Sequence, residues 1–228
     1  MIRFFDVLFS GIALIFFSPF LIPIIIILKL SGEGEIFFLQ ERVGKNRESF
    51  YLFKFATMLK NSSSIGTGTI TIKNDPRVLP IGRFLRRTKI NELPQLLNIF
   101  LGSMSFIGPR PQTLRCFEAF PADSQEIISR LKPGLSGIGP VVFRKEEDIL
   151  ESHTDTLNLY DNVIAPYKGK VESWYIDKQN MIIYFALIFL TVWVVFFPNS
   201  GLIWKIFSDL PIPPDELKKE LNFFYRPA

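Results

Sequence analysis

The sequence predicts a mixed α/β (α+β) protein associated with a membrane, on three observations. Residues 4–28 carry one charge, Asp6, and are otherwise almost wholly apolar; about 20 such residues span a bilayer. Residues 36–58 alternate short apolar stretches with turn residues, Arg42-Val43-Gly44-Lys45-Asn46 among them, the pattern of strands and a hairpin. Residues 92–101 place Leu93, Leu96, Leu97, Phe100 and Leu101 at helical spacing. Composition agrees with a membrane: of 228 residues 48% are hydrophobic and 24 are Phe, more apolar than an ordinary soluble domain. At this length one domain with appendages is the default.

The apolar N-terminus is interrupted at Ser18-Pro19 and again at Pro23. Proline removes a backbone donor and bends a helix, and a Ser hydroxyl can bond a carbonyl freed in the break. Two readings follow: a straight span with a mild kink, or a re-entrant helix that breaks at Ser18 and Pro19 and returns. Cations flank both ends, Arg3 and Lys29, so loop charge does not orient a span. A secretory signal peptide fits poorly, because Lys29-Leu30-Ser31-Gly32-Glu33 is not a small-x-small cleavage site. Residues 181–197 form a second apolar run ending at Pro198, near the lower limit for a span. A core helix, an interfacial helix and a span all remain open there. Tyr184 and Trp193 suit an interface, and a helix in or against the membrane surface is the favoured reading.

Between these segments, residues 61–68 read as a mobile Ser/Gly loop and Asp75-Pro76-Arg77 as a turn. Residues 81–87 read as a short amphipathic helix. Pro94 suits a first helical turn, which makes Asn91 a candidate N-cap and points a helix dipole at a candidate phosphate site. Residues 132–140 form a Gly/Pro turn region. Glu146, Glu147, Asp148, Glu151 and Asp155 form an acidic patch, read as a solvated face with a metal site as the alternative. The predicted organisation is a membrane helix over 1–30, a main domain over 31–210 and a Pro-rich charged tail over 211–228.

Net charge is +4 and the sequence pI about 9.1. A basic, apolar chain without long basic runs fits an anionic membrane surface or phosphate-bearing substrates better than nucleic acid. The single cysteine, Cys116, excludes an intrachain disulfide and a Cys-based metal cluster. The single histidine, His153, reads as a surface residue and argues against a Ser-His-Asp triad. Walker A and G-x-G-x-x-G signatures are absent. What remains is Asn91-Glu92-Leu93-Pro94-Gln95, set between the basic run 83–89 and Gly108-Pro109-Arg110-Pro111. Arginine pairs bidentately with phosphate oxygens. A carboxylate beside such cations can hold Mg²⁺ or attack phosphorus. Glu92 with Lys54, Arg86 and Arg110 is therefore either a site for a phosphorylated, metal-bound substrate or a structural salt-bridge network.

At these residues the chain strongly resembles the bacterial sugar transferases, the monotopic phosphoglycosyl transferases that start glycan assembly on a polyprenol carrier. The likeness covers nearly the whole chain. It runs through Ser18-Pro19, Gln40-Glu41-Arg42-Val43-Gly44, Lys54-Phe55-Ala56-Thr57-Met58, Leu85-Arg86 and Asn91-Glu92-Leu93-Pro94-Gln95. It continues through residues 102–111, Lys132-Pro133-Gly134-Leu135-Ser136-Gly137 and Trp174-Tyr175. The resemblance implies a re-entrant N-terminal helix and a small catalytic domain on the cytoplasmic face of a bacterial inner membrane. It also implies transfer of a sugar 1-phosphate from a nucleotide diphosphate sugar, a UDP-sugar by expectation, to undecaprenyl (polyprenol) phosphate, with Mg²⁺ as cofactor. Glu92 matches the family's catalytic and metal-binding Glu. Arg86, Arg110 and Pro111 match its phosphate-contacting positions, and Lys54 opens its Lys-Phe-Arg-Thr-Met pattern.

The chain departs from that pattern at Asn91 (the family's nucleophilic Asp), Ala56 (Arg or Lys) and Ser103 (Asp or Glu). Asn91 matters most, since a neutral amide is a poor nucleophile. Three functions compete. The first is a transferase with an altered site, in which Glu92 attacks or assists direct transfer. The second is a silent relative, natural or an Asp-to-Asn trap variant, that binds the lipid carrier or a partner enzyme. The third is a structural protein of the membrane interface. A homodimer through the apolar surface is open, and neither the sugar nor the nucleotide can be read from side chains.

Overall fold

A computed structural model describes residues 1–31, 33–64, 75–151, 153 and 155–223. The chain divides into two compact units, residues 1–42 with 49–105, and residues 43–48 with 106–228. The expected loop over 61–68 lies outside the described residues from residue 65 onward, as does the segment through 74.

The first unit opens with α1, Ile2–Leu30, a helix of 29 residues that continues through Pro19 and Pro23. Pro19 has no N–H to offer the carbonyl of Ile15, one turn back. The Ser18 hydroxyl takes that place, donating to Ile15 O at 2.8 Å. Both ends of α1 are tied to the unit. Near its start, Arg3 donates to the last carbonyls of α3 (Gln95–Leu101), Ile99 O at 2.5 Å and Phe100 O at 2.8 Å, where a cation also complements the negative end of a helix. Asp6, the one charge in the apolar run, is buried, and its Oδ1 accepts from Ser105 Oγ at 3.0 Å. Near the other end Leu28 packs into a core with Phe55 and Leu85. The middle is uncovered, with Ile12, Ile15, Phe16, Phe20 and Ile22 exposed.

The expected hairpin forms from β1 (Phe37–Val43) and β2 (Ser49–Phe55). The expected amphipathic helix is α2, Pro80–Arg87, with proline in its first turn. It is brought beside the end of β2 by Leu79, whose N–H donates to Thr57 O at 2.9 Å. Asn98, 2% exposed, pins α3 to β2. Its Oδ1 accepts from Phe53 N at 2.9 Å, while its Nδ2 donates to Tyr51 O at 2.8 Å and to Ser103 Oγ at 3.1 Å. The side-chain amide thus satisfies a peptide N–H and C=O of the strand, as a neighbouring strand would.

The long segment of the second unit starts at Phe106, within β3 (Ser105–Ile107), which pairs with β4 (Gly134–Ser136). Glycine permits a very close approach here: a Cβ on Gly134 would lie 2.1 Å from Gly108 N. Short helices α4 (Leu114–Glu118), α5 (Ala122–Ile128), α6 (Ile138–Val142), α7 (Glu146–Glu151) and α8 (Thr156–Leu159) precede α9, Ala165–Lys178, which follows a π-helical turn, Tyr160–Ile164, and packs against α5 and α6. The apolar run of 181–197 becomes α10, Met181–Phe196. One face, Tyr184, Leu187, Leu190 and Val194, is buried, and the other exposes Ile182, Phe185, Phe189, Val192, Val195 and Phe196. Tyr184 is therefore a core residue, not an interfacial one, because it falls on the face that packs on α6 and β4. Helices α11 (Leu202–Ile206) and α12 (Asp215–Lys218) follow. The charged segment read as a tail is anchored by buried Leu217 and Leu221, and Trp204 Nε1 donates to Leu221 O at 3.0 Å.

Candidate functional site

In the first unit the structure brings together the elements that carry Lys54, Arg86, Asn91 and Glu92. Lys54 lies on β2 and Arg86 in the last turn of α2, both half-buried. After α2 the chain reverses at Lys89, whose φ of 59° is left-handed. A non-glycine residue there costs about 1–2 kcal/mol, and such strain collects at functional sites. The reversal leads into a 3₁₀ turn, Ile90–Glu92, closed by Glu92 N to Lys89 O and Leu93 N to Ile90 O, both 3.1 Å. This turn packs against both β2 and α2.

The turn overturns the expected capping role of Asn91. Helix α3 starts only at Gln95, and its N-cap residue is Pro94, with no side-chain cap. The first bonds at the start of α3 run from Leu96 N to Leu93 O and from Leu97 N to Pro94 O, both 3.0 Å, so Asn91 sits too early to cap. The seven-residue α3 also points no dipole at residue 91. Instead the Asn91 side chain is buried, 7% exposed, and its Oδ1 has no hydrogen-bond partner among the described residues. Such an atom forfeits about 1–3 kcal/mol and marks a place where a ligand, ion or water is expected. Glu92, next in the chain, is half-buried. One carboxylate and one amide oxygen suit Mg²⁺, a hard cation that takes one or two protein ligands and completes its shell with water and phosphate. Among the described residues no group of three or more acidic, His or Cys side chains forms an all-protein cage.

The other departures from the family pattern have local roles. Ser103 accepts from Asn98 Nδ2 and donates to Asn98 O at 3.2 Å. Ala56 is buried, and its N–H bonds Ile36 O at 2.9 Å. Ser18 and Pro19 lie exposed in the middle of α1.

Arg110 and Pro111 belong to the second unit, in the turn after β3. Arg110 is half-buried and Pro111 buried. The turn is held by Gly108 N to Ser136 O at 3.0 Å and Gly134 N to Pro109 O at 2.8 Å. Two sequence motifs, Gly108-Pro109-Arg110-Pro111 and Lys132-Pro133-Gly134, thus meet through their backbones. The acidic patch is not a plain solvated face: Glu146 pairs at 2.7 Å with Lys168, which is 2% exposed. His153 is exposed, as expected.

Sequence reasoning missed Glu172. It lies on α9, 1% exposed, with Oε1 accepting from Arg110 N at 3.3 Å and Oε2 without a hydrogen-bond partner among the described residues. Burial pushes its carboxyl up to about 7, against backbone hydrogen bonds from Arg110 and Gly139 and the charges of Lys168 and Arg110.

The model of the family described as "Bacterial sugar transferase" matches residues 1–198. Among curated relatives, the exopolysaccharide production protein ExoY of Rhizobium meliloti (strain 1021) is 36% identical over 63% of this chain and 70% of its own. A UDP-N-acetylgalactosamine-undecaprenyl-phosphate N-acetylgalactosaminephosphotransferase of Aeromonas hydrophila is 37% identical over 60% of this chain and 33% of its own. A UDP-glucose:undecaprenyl-phosphate glucose-1-phosphate transferase of Klebsiella pneumoniae is 32% identical over 86% of this chain and 40% of its own. This chain therefore spans well under half the length of the two named transferases. With the family match running from the apolar helix α1 through the Asn91-Glu92 turn to the end of α10, the chain belongs to the bacterial sugar transferase family.

Proposed function

We propose that this protein transfers a sugar 1-phosphate from a UDP-sugar to undecaprenyl phosphate at the cytoplasmic face of a bacterial inner membrane. The reading draws on the relatives' activities. The observation in this chain that carries it is the buried, unpartnered Oδ1 of Asn91 beside Glu92, on a strained turn packed between the strand of Lys54 and the helix of Arg86. A salt-bridge network alone gives no reason to bury an amide oxygen without a partner. The exposed apolar middle of α1 supports attachment to the bilayer, and its two tethered ends support the re-entrant topology.

In the proposed reaction a Glu92 carboxylate oxygen attacks the sugar-side phosphorus of the donor. The bond from that phosphorus to the bridging oxygen breaks, and UMP leaves with the electron pair. An oxygen of undecaprenyl phosphate then attacks the same phosphorus and frees the carboxylate. Alternatively the lipid phosphate attacks the donor directly, and Glu92 orients it. Lys54 and Arg86 of the first unit, and separately Arg110 of the second, are candidate phosphate contacts. Glu92, with the amide oxygen of Asn91, would hold Mg²⁺, which when bound offsets phosphate charge.

The test is UMP release from a panel of UDP-sugars with undecaprenyl phosphate and Mg²⁺. Turnover by the protein with Asn91 is expected, with Glu92→Gln at least about 10²-fold slower. Release from no donor, with activity gained in Asn91→Asp, would sink the lone-Glu mechanism and leave a silent relative.

A further inference from the structure

The π-helical turn, the exposed face of α10 and the Lys168–Glu146 pair each have a packing or membrane role, whereas one buried carboxyl has none in the reaction above. Glu172 is 1% exposed on α9. Its Oε1 receives the Arg110 N–H at 3.3 Å. The same oxygen lies 2.1 Å from where a Cβ on Gly139 would fall, so any larger residue at 139 would make the carboxyl shift. Oε2 has no hydrogen-bond partner among the described residues. A buried carboxyl that is only half satisfied is costly, and glycine at 139 leaves room for it to reach the turn that carries Arg110.

We propose that Glu172 is a positioning residue whose carboxyl holds the backbone of Arg110, so that its proton state sets how firmly the Gly108–Pro111 turn is presented to a diphosphate. This rests on the reading of Arg110 as a phosphate contact. The ionised carboxylate accepts the Arg110 N–H about twice as strongly as the neutral acid does. Burial raises the carboxyl to about 7, so the switch falls in the working range of pH. The charges acting on it are those of Arg110 and of Lys168, one helical turn away and itself paired with Glu146 on α7. Of the helices packed against α9, α6 carries no charged side chain, and Asp123 and Glu126 of α5 are exposed. Asp161 of the π-helical turn is taken up by Arg115.

The experiment uses the full chain in detergent or nanodiscs with UDP and Mg²⁺ as the probe. UDP affinity is measured by calorimetry at pH 6 and pH 8 for the wild type and for Glu172→Gln, which keeps the shape and an acceptor but cannot ionise. UDP has its own titration, so the difference between the two proteins is the readout. Wild-type affinity is expected to rise about fivefold more than that of Glu172→Gln between the two pH values. Hydrogen exchange at the Arg110 amide, corrected for intrinsic rates, is expected to speed up in Glu172→Gln at pH 8 and not at pH 6. Binding with the same pH dependence in both proteins overturns the role of Glu172 and leaves the phosphate reading of Arg110 standing. No binding of UDP by the wild type at either pH removes that reading, and this proposal with it.

Discussion

Asn91 and Glu172 are both buried polar groups left incompletely satisfied, and they differ in what that costs. At Asn91 the orphan is a neutral oxygen. At Glu172 it belongs to an acid, so its cost depends on pH. The folded-state value of about 7 lies above an ordinary 4.5, so the folded chain holds a proton that the unfolded chain has already lost between these values. Stability is then fullest below about 4.5 and declines as pH rises through 7, by up to about 3 kcal/mol. Glu172→Gln should therefore match the wild type in thermal unfolding at pH 5 and exceed it at pH 8. A constant gap across that range would mean that the carboxyl does not titrate near 7. The candidates Glu92, Lys54 and Arg86 could be named from the sequence because their motifs are local. Glu172 was not, because within Val171-Glu172-Ser173 it reads as an ordinary helical charge. Only packing makes it buried, through a glycine 33 positions earlier (172 against Gly139). The role expected of Asn91 failed for a related reason: spacing placed it near a helix start, but the left-handed Lys89 and Pro94 inserted a separate turn.

Among the elements, α1 shows how a proline-interrupted apolar helix is kept helical. Water is absent from a bilayer core, so a carbonyl freed by proline must find a partner inside the protein. Ser18 is the partner for Ile15 O, at 2.8 Å. Ser18→Ala should lower stability in detergent or lipid by about 1–3 kcal/mol, and Ser18→Thr, which keeps the hydroxyl, should lose much less. Equal denaturation midpoints for the Ala variant and the wild type would show that the carbonyl is met in another way. The sequence announced this device, since Ser18-Pro19 is a local pattern. It also announced the hairpin and α2, each of which rests on neighbouring residues. It did not announce that Arg3 would close the end of α3 or that Asn98 would imitate a strand, because those contacts join residues 96 and 45 positions apart.

For the molecule as a whole, the decisive property of the proposed membrane-bound state is on which side of the bilayer the two ends of α1 lie. A straight helix of 29 residues is about 43 Å long, longer than the roughly 30 Å hydrocarbon core. A straight span would carry Arg3 and Leu28 to opposite faces. Yet Arg3 and Asp6 are bonded to α3 and Ser105, while Leu28 packs with Phe55 and Leu85, all within one compact unit. That unit carries Lys54, Arg86 and Glu92, and it cannot occupy both sides of a bilayer. Separating the ends would strip Asp6 of its Ser105 partner and leave a charge in an apolar helix, at a cost of about 2.5–3.5 kcal/mol on insertion scales. With Cys116 replaced by Ser, single cysteines at Phe4 and Leu30, both well exposed, should therefore react with an impermeant thiol reagent from the same side. That side should be the cytoplasmic one, so both label in inverted vesicles and neither in right-side-out cells. Reaction of the two positions from opposite sides would establish a straight span and would require the contacts of one end of α1 to come apart in the membrane.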